Sequence, residues 1–335
     1  MIDIKQLKRY ANPSYLTIRE DKILVCNKRE ARLSREKMNK IEEEFGIPVI
    51  YSRTYEEVSK KVGRFIIRNK IINPRDIIVV GLSGGKDSLM LLHLLEPYRR
   101  KYGIDIHAIT VDLNVDGIRP WSEDREGMKL IKDHCKKLNI PHKVLKCDKN
   151  VVELSRILSE NDNGIEYSPC FSCSIIRRHL LTKYADSLKE KEGRDVKIAF
   201  GHTLEDNSDT VLANILKGCA IKALKPIKQF YENVVDYKYF KITLKPCTII
   251  RPLLPVSEKS IIKALNECGI EYYRDKDECP YSRNRGDNIR RRAHEVLSLL
   301  EKEVKNVREM VVSAAIKSEN KMKKSEEKEN EVIDE

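Results

Sequence analysis

Residues Ser83-Gly84-Gly85-Lys86-Asp87-Ser88 follow the apolar run "RDIIVVGL" and precede a helical pattern. Successive N–H groups of a glycine-rich turn form an anion nest, and a helix starting behind it adds its positive end. Lys86 supplies a point charge for a phosphate, and the Ser83 and Ser88 hydroxyls can donate hydrogen bonds. Asp87 repels a phosphate directly, so its useful role runs through a metal ion or a water. The spacing is shorter than the G-x-x-x-x-G-K-S/T loop of ATPases and kinases. The loop alone therefore leaves two reactions open, transfer of the γ-phosphoryl group or attack elsewhere on the triphosphate. An ordinary strand-to-helix turn with Gly at positive φ is the bland alternative. Six suitable residues in that context weigh against it.

Cys170 and Cys173 form a C-x-x-C ahead of the basic stretch "IIRRHLL", and Cys279 lies in "DECPYSRNRG". Taken alone, a C-x-x-C is a redox pair, half a zinc site or two core thiols. Cys135, Cys219 and Cys268 fall in helical patterns, where cysteine serves as a small core residue. Cys147 and Cys247 read as structural residues at strand ends, and Cys26 stands alone. Arg283, Arg285, Arg290, Arg291 and Arg292 cluster directly after Cys279. Guanidinium forks suit phosphates, so this cluster points to RNA contact. Tyr281, Trp121, Tyr272 and Tyr273 could stack on an unstacked base. The competing reading is an exposed helix start and core tyrosines.

The elements that must position these groups alternate. "RDIIVVGL", "IDIHAITVDL", "PHKVLKCD" and "DVKIAFGH" read as strands, separated by helical patterns. That alternation predicts crossover units and an α/β fold with a parallel sheet sandwiched by helices. Ligands of such sheets sit beyond the carboxyl ends of the strands, where Ser83–Ser88 falls. Residues 1–72 read as a basic, mostly helical extension with one short strand, "IPVIYS", and as a candidate RNA platform. Residues 73–260 read as the α/β domain that carries the Ser83 loop. Within them "YKYFKITLKPCTIIRPLLPVS" reads as extended structure leaving the sheet. Residues 261–318 carry Cys279, the arginines and one long amphipathic helix. Residues 319–335 are low in apolar content and read as an unstructured tail.

The net charge of +12 favours a polyanionic partner. The N-terminus lacks an apolar signal region, and no apolar run reaches about 18 residues, so neither secretion nor a membrane span is expected. The expectation is a cytoplasmic protein. Its nine cysteines are then thiols, metal ligands or catalytic groups rather than structural disulfides.

The hexamer at Ser83 resembles the signature of the PP-loop superfamily, the N-type ATP pyrophosphatases. The resemblance implies an adenine-nucleotide α-hydrolase-like fold and cleavage of ATP between the α and β phosphates, with Mg²⁺ near Asp87 or Asp206. Other positions agree. Asp112 in "TVDL" stands where family members bind the adenosine, and Gly201, His202 and Asp206 in "GHTLEDNSD" match the second motif. Glu205 and Thr203 are mild departures from it. "SPCFSC" with its basic helix and "ECPYS" with its arginine-rich run resemble the TtcA/TtuA group of tRNA 2-thiolation enzymes. That likeness covers roughly residues 75–295. It implies that Cys170, Cys173 and Cys279 hold a 4Fe-4S cluster, with Cys170 and Cys279 also catalytic and Arg177 near the nucleotide. Relatives that carry zinc fingers at both ends differ from this chain, which has only Cys26 before residue 72 and no cysteine after Cys279.

The implied activity is ATP-dependent tRNA sulfur transfer to C2 of uridine or cytidine. The sulfur donor is left open among free sulfide, a cysteine desulfurase and a thiocarboxylated small protein. The oligomeric state is left open between monomer and homodimer. Competing readings are a cluster-free persulfide enzyme, another adenylating synthetase with zinc-bound cysteines, and a non-catalytic RNA-binding protein.

Overall fold

The computed structural model describes residues 4–333 other than 124, 162–164, 238–239, 274–278, 280 and 282–287. The chain opens with α1 (Ile4–Leu7), β1 (Leu16–Ile18), β2 (Ile23–Val25), α2 (Lys28–Ala31), α3 (Arg35–Phe45) and β3 (Val49–Tyr51). The three strands form their own sheet, β2 antiparallel to β1 and parallel to β3. Leu7, Tyr15, Ile23, Val25, Ile41 and Val49 fill a separate small core. Ser34 caps the start of α3 and Gly46, at φ 68°, ends it. The mostly helical reading of this segment thus missed two strands, each only three residues long. The next helix, α4 (Arg53–Arg68), does not belong to this small core. Its Tyr55, Val58, Val62 and Ile66 pack into the main one.

The central region runs β4 (Ile77–Gly81), α5 (Lys86–Tyr102), β5 (Asp105–Asn114), α6 (Glu126–Leu138), β6 (His142–Asn150), α7 (Val151–Asn161), α8 (Pro169–Glu192), β7 (Val196–Ala199) and α9 (Leu204–Leu216). It continues with β8 (Ile227–Phe230), β9 (Asn233–Asp236), β10 (Lys241–Leu244), β11 (Cys247–Ile250), α10 (Glu258–Glu267), α11 (Asn288–Glu303) and α12 (Val307–Ile333). The main sheet has the order β6-β5-β4-β7-β11-β8, parallel except for β8. β4 is a continuous apolar run because both of its faces are covered. Ile78 and Val80 face the core shared with α4, α5 and α10, while Ile77 and Val79 face that of α7 and α8. β5 lies on one side of β4 and β7 on the other, so the chain reverses its direction of travel across the sheet there. In sheets of this kind such a reversal marks the crevice where ligands bind, here at the carboxyl ends of β4 and β7. At the opposite ends of the same strands, the buried Lys197 ammonium donates to Asp76 at 2.7 Å and to the Ile71 carbonyl at 3.1 Å.

Three expectations need correction. Residues 247–250 do not leave the sheet. They enter it as β11 beside β7, burying Ile249 and Ile250. The long amphipathic helix is two helices. It breaks before Asn306, whose φ is 60°, so that Arg308 can turn inward. Arg308 is 1 % exposed and donates to Asp209 at 2.6 Å and to Ser208 at 2.9 Å, pinning α12 to α9. The backbone of the expected tail instead continues α12 to Ile333. The helix holds no Gly or Pro and is rich in Lys and Glu, which are good helix formers. No helix among the described residues is long and apolar enough to cross a membrane.

Candidate functional site

The loop after β4 is held by its carbonyls. Thr110 Oγ1 donates to Leu82 O at 2.8 Å, Trp121 Nε1 to Ser83 O at 3.4 Å and Tyr273 N to Gly84 O at 2.8 Å. Each carbonyl shares a rigid plane with the next N–H, which points the opposite way. Fixing three carbonyls therefore aims the N–H groups of Ser83, Gly84 and Gly85. Two of these make only long contacts, Ser83 N to Ser88 Oγ at 3.3 Å and Gly85 N to Ser83 Oγ at 3.4 Å. A phosphate oxygen can replace both. Gly84 sits at φ 79°, and a Cβ there would come within 3.1 Å of Ile131 Cγ1. Gly85 caps α5 without a side-chain hydrogen bond, so the helix start is open to an anion.

The charges around the loop are arranged in pairs. Lys86 Nζ lies 2.9 Å from Asp87 Oδ2 and 3.0 Å from Glu258 Oε2. Burial works against the Lys86 charge, but the two carboxylates outweigh it and raise its pKa. Burial lifts Asp87 to about 6, more than Lys86 pulls it down. Asp87 Oδ1 is buried with no hydrogen-bond partner. Across the crevice, Asp206 Oδ2 accepts from Thr203 N at 2.9 Å as part of a capping box at the start of α9, and Oδ1 accepts from Arg290 at 2.7 Å. The two loops touch through backbone. A Cβ on Gly201 would lie 3.0 Å from both C and O of Asp87. His202 follows, its imidazole pushed down to about 4 by burial and its Nδ1 without a partner. It is therefore neutral at pH 7. Glu205 takes a structural part, accepting from Glu258 N at 2.9 Å and so setting the start of α10.

Asp112 is buried in β5, with Oδ2 3.1 Å from Arg119 and Oδ1 unpartnered. Arg119 also pairs with Asp148. Arg177 lies over the Trp121 ring, 4.2 Å from its centroid. Trp121, read from sequence as a base-stacking candidate, thus links α8 to the phosphate loop. Tyr273 likewise serves the loop, while Tyr281 and Tyr272 border the two main cores. Sequence reasoning missed Glu258, Arg119 and Thr110, because nothing in their local pattern marks them.

Cys170 and Cys173 occupy the first turn of α8, three residues apart on one helix face. Both are half-buried, as is Cys279. Cys173 and Cys279 border the same core cluster, beneath α7 and α8. Cys26, Cys135 and Cys268 are core residues, and burial pushes the Cys135 thiol up to about 12. Cys219, expected in the core, is exposed just beyond the end of α9. Among the described residues no three His, Cys, Asp or Glu side chains are grouped to hold one metal ion. Arg291 and Arg292 are exposed on the first turn of α11, and Arg291 reaches Glu295 at 3.5 Å. Arg283 and Arg285 lie outside the described residues.

The sequence matches the PP-loop domain over residues 54–297. It is 65 % identical over 320 residues to a probable sulfurtransferase of Methanocaldococcus jannaschii, covering 95 % of each chain. It is 29 % identical over 263 residues to a tRNA-cytidine(32) 2-sulfurtransferase of Pelobacter propionicus, covering 78 % of this chain and 85 % of that one. In fold it is similar to the U34-tRNA thiolase NcsA of Methanococcus maripaludis, solved with its 4Fe-4S cluster. The TM-score is 0.56 at 22 % identity, covering 82 % of this chain and 83 % of that one.

Proposed function

Because this chain belongs to the PP-loop domain family, we propose that it is an ATP-dependent tRNA sulfurtransferase that adenylates C2 of a tRNA pyrimidine and puts sulfur in place of its oxygen. One observation carries the reading. Arg177, one turn beyond Cys173, stacks on Trp121, whose indole holds the Ser83 carbonyl. The helix that presents the C-x-x-C is thereby joined to the triphosphate loop, as a two-stage reaction at one base requires.

ATP lies on the Ser83–Ser88 loop, with its adenosine toward Asp112. The C2 oxygen of the pyrimidine attacks the α-phosphorus, and the bond to pyrophosphate breaks. Lys86 offsets the charge that develops on the leaving group. Asp87 and Asp206 suit Mg²⁺. The unpartnered, buried Asp87 Oδ1 would hold the ion, with Asp206 opposite it, and Mg²⁺ there would offset the charge of the phosphates. Hydrosulfide then attacks C2, the C2–O bond breaks, and AMP leaves with the former base oxygen while the sulfur sheds its proton. Cys170, Cys173 and Cys279 suit a 4Fe-4S cluster, being half-buried soft donors, and such a group would supply a site where sulfide is kept reactive. Arg291 and Arg292 take tRNA phosphates. His202, held neutral by burial and with Nδ1 unpartnered, can hydrogen-bond the nucleotide without adding charge.

Anaerobic protein incubated with tRNA, ATP, Mg²⁺ and sulfide is expected to yield AMP, pyrophosphate and a 2-thiolated nucleoside detectable by mass spectrometry. Formation of ADP and phosphate in place of AMP would rule the proposal out.

A further inference from the structure

His93 on α5 and His134 on α6 meet in the core. His93 is 1 % exposed, and its Nε2 stands 3.1 Å from His134 Nδ1. His134 Nε2 stands 2.9 Å from the carbonyl oxygen of Glu271. A carbonyl only accepts, so His134 carries a proton on Nε2. Burial disfavours a second proton on either ring. His134 Nδ1 therefore accepts, and His93 donates to it. Two residues after Glu271, Tyr273 N donates to Gly84 O at 2.8 Å. The Tyr273 ring lies against Gly127, where a Cβ would approach it to 3.1 Å. These contacts close a circuit. Gly84 leads into α5, α5 carries His93, the two rings reach Glu271, and the chain returns through Tyr273 to Gly84.

We infer that His134 is a positioning residue for the phosphate loop. It anchors the 271–273 strap, and the strap fixes the Gly84–Gly85 peptide plane and with it the direction of the Gly85 N–H. The inference rests on the reading that this loop binds ATP.

Two amide substitutions separate the roles of the ring. Gln at 134 can place its NH₂ where Nε2 stands and keep the bond to Glu271. Asn is too short for that and reaches only the Nδ1 position, keeping the contact with His93. The probe is α,β-methylene-ATP with Mg²⁺, titrated by calorimetry, so no turnover is needed. His134→Gln is expected to bind within about twofold of wild type. His134→Asn is expected to bind about tenfold more weakly, the loss of roughly one hydrogen bond. In turnover that loss appears in KM for ATP rather than in kcat. Gly127→Ala, which drives a methyl group at the Tyr273 ring without touching either histidine, is expected to weaken binding in the same direction. This variant keeps the test decisive if the histidine variants do not fold. Wild-type affinity in His134→Asn or in Gly127→Ala would overturn the inference, and so would equal losses in the Asn and Gln variants. Wild-type protein that bound no nucleotide would instead overturn the proposed function on which it rests.

Discussion

The phosphate loop and the C-x-x-C helix are joined through Trp121 and Arg177 but are built by different means. At the loop, backbone groups are tethered one by one, by Thr110, Trp121 and Tyr273, and Lys86 already sits between two carboxylates. The loop's N–H groups are thus ordered when the chain folds, so an anion bound there would spend little of its binding energy on ordering them. At the head of α8, Cys170 and Cys173 are placed by helix periodicity, and Cys279 by packing against the core cluster that Cys173 also borders. Soft ligands of this kind gain their fixed arrangement from what they bind. One flank is thus preorganised by hydrogen bonds. The other is placed by helix periodicity and core packing alone.

The sharpest break of this contrast is a pair of substitutions, one on each flank. Lys86→Ala is expected to lower tRNA-dependent pyrophosphate release by about 10²- to 10³-fold, the range for removing one charge-stabilising donor, with iron content unchanged. Cys173→Ala is expected to do the reverse, losing iron in anaerobic reconstitution while keeping affinity for α,β-methylene-ATP. Cys135→Ala should lose neither. A Cys173→Ala protein that no longer bound nucleotide would show that the two flanks are one structural unit.

Gly201→Ala tests how tightly the loop flank is closed. Its new methyl group meets the Asp87 backbone at 3.0 Å, and backbone cannot swing aside as a side chain can. Urea unfolding should show a loss of about 1–3 kcal/mol, with weaker nucleotide binding alongside. A substitution without effect would mean that the β4 and β7 loops move independently.

The pH dependence of stability should report the loop flank alone. Asp87 titrates near 6 in the folded protein, above its ordinary value of 3.8, because it is buried. The folded state then holds a proton that the unfolded state has released, so this group's contribution falls as pH rises from about 4 through 6. In metal-free protein the difference between wild type and Asp87→Asn should grow over that window, by on the order of 1–2 kcal/mol. His202 acts in the opposite sense. Its folded pKa of about 4 lies below the ordinary 6.5, so its contribution is lost as pH falls through that range. Comparison with Asp87→Asn cancels the His202 effect. A flat difference would remove the case for a buried Asp87 carboxyl. The smallest effect belongs to the surface. Arg291→Ala and Arg292→Ala should each lower the log–log salt slope of tRNA binding by roughly 0.7–0.9, with nucleotide affinity untouched.

Much of the loop flank was legible in the sequence because its chemistry is local. Four strands alternate with helices, and a glycine-rich hexamer at the end of the first announces an anion site. What was not legible depends on contacts between distant segments. Trp121 and Tyr273 have the composition of base stackers, yet their N–H groups serve the loop. Glu258 becomes a partner of Lys86 only once Glu205 has fixed the start of α10. β11 is four residues long, too short for a periodicity to declare which sheet it joins. The apolar spacing runs on through residues 304–306, so nothing in the pattern signals the break that lets Arg308 reach Asp209. On the cysteine flank, C-x-x-C fixes the position of two thiols on a helix, while the position of Cys279 depends on a fold that its own neighbours do not encode.

The contact between Gly201 and Asp87 also carries a consequence for synthesis. The strands that bring these residues together are neighbours in the sheet, yet β5, β6 and all the helices between them intervene in the chain, from residue 82 to residue 195. On the ribosome the phosphate loop emerges early, but it has no opposite wall until β7 follows and pairs with β4. Closing so long a loop costs only slightly more than closing one of half its length, since that entropy grows with the logarithm of length, but the pairing is slow to find. Until then the edge of β4 that β7 covers lies unpaired. A nucleotide cannot hasten this step, because the cleft it would occupy does not exist before the pairing is made. On the proposed reading, ATP would therefore stabilise the finished protein without guiding its formation.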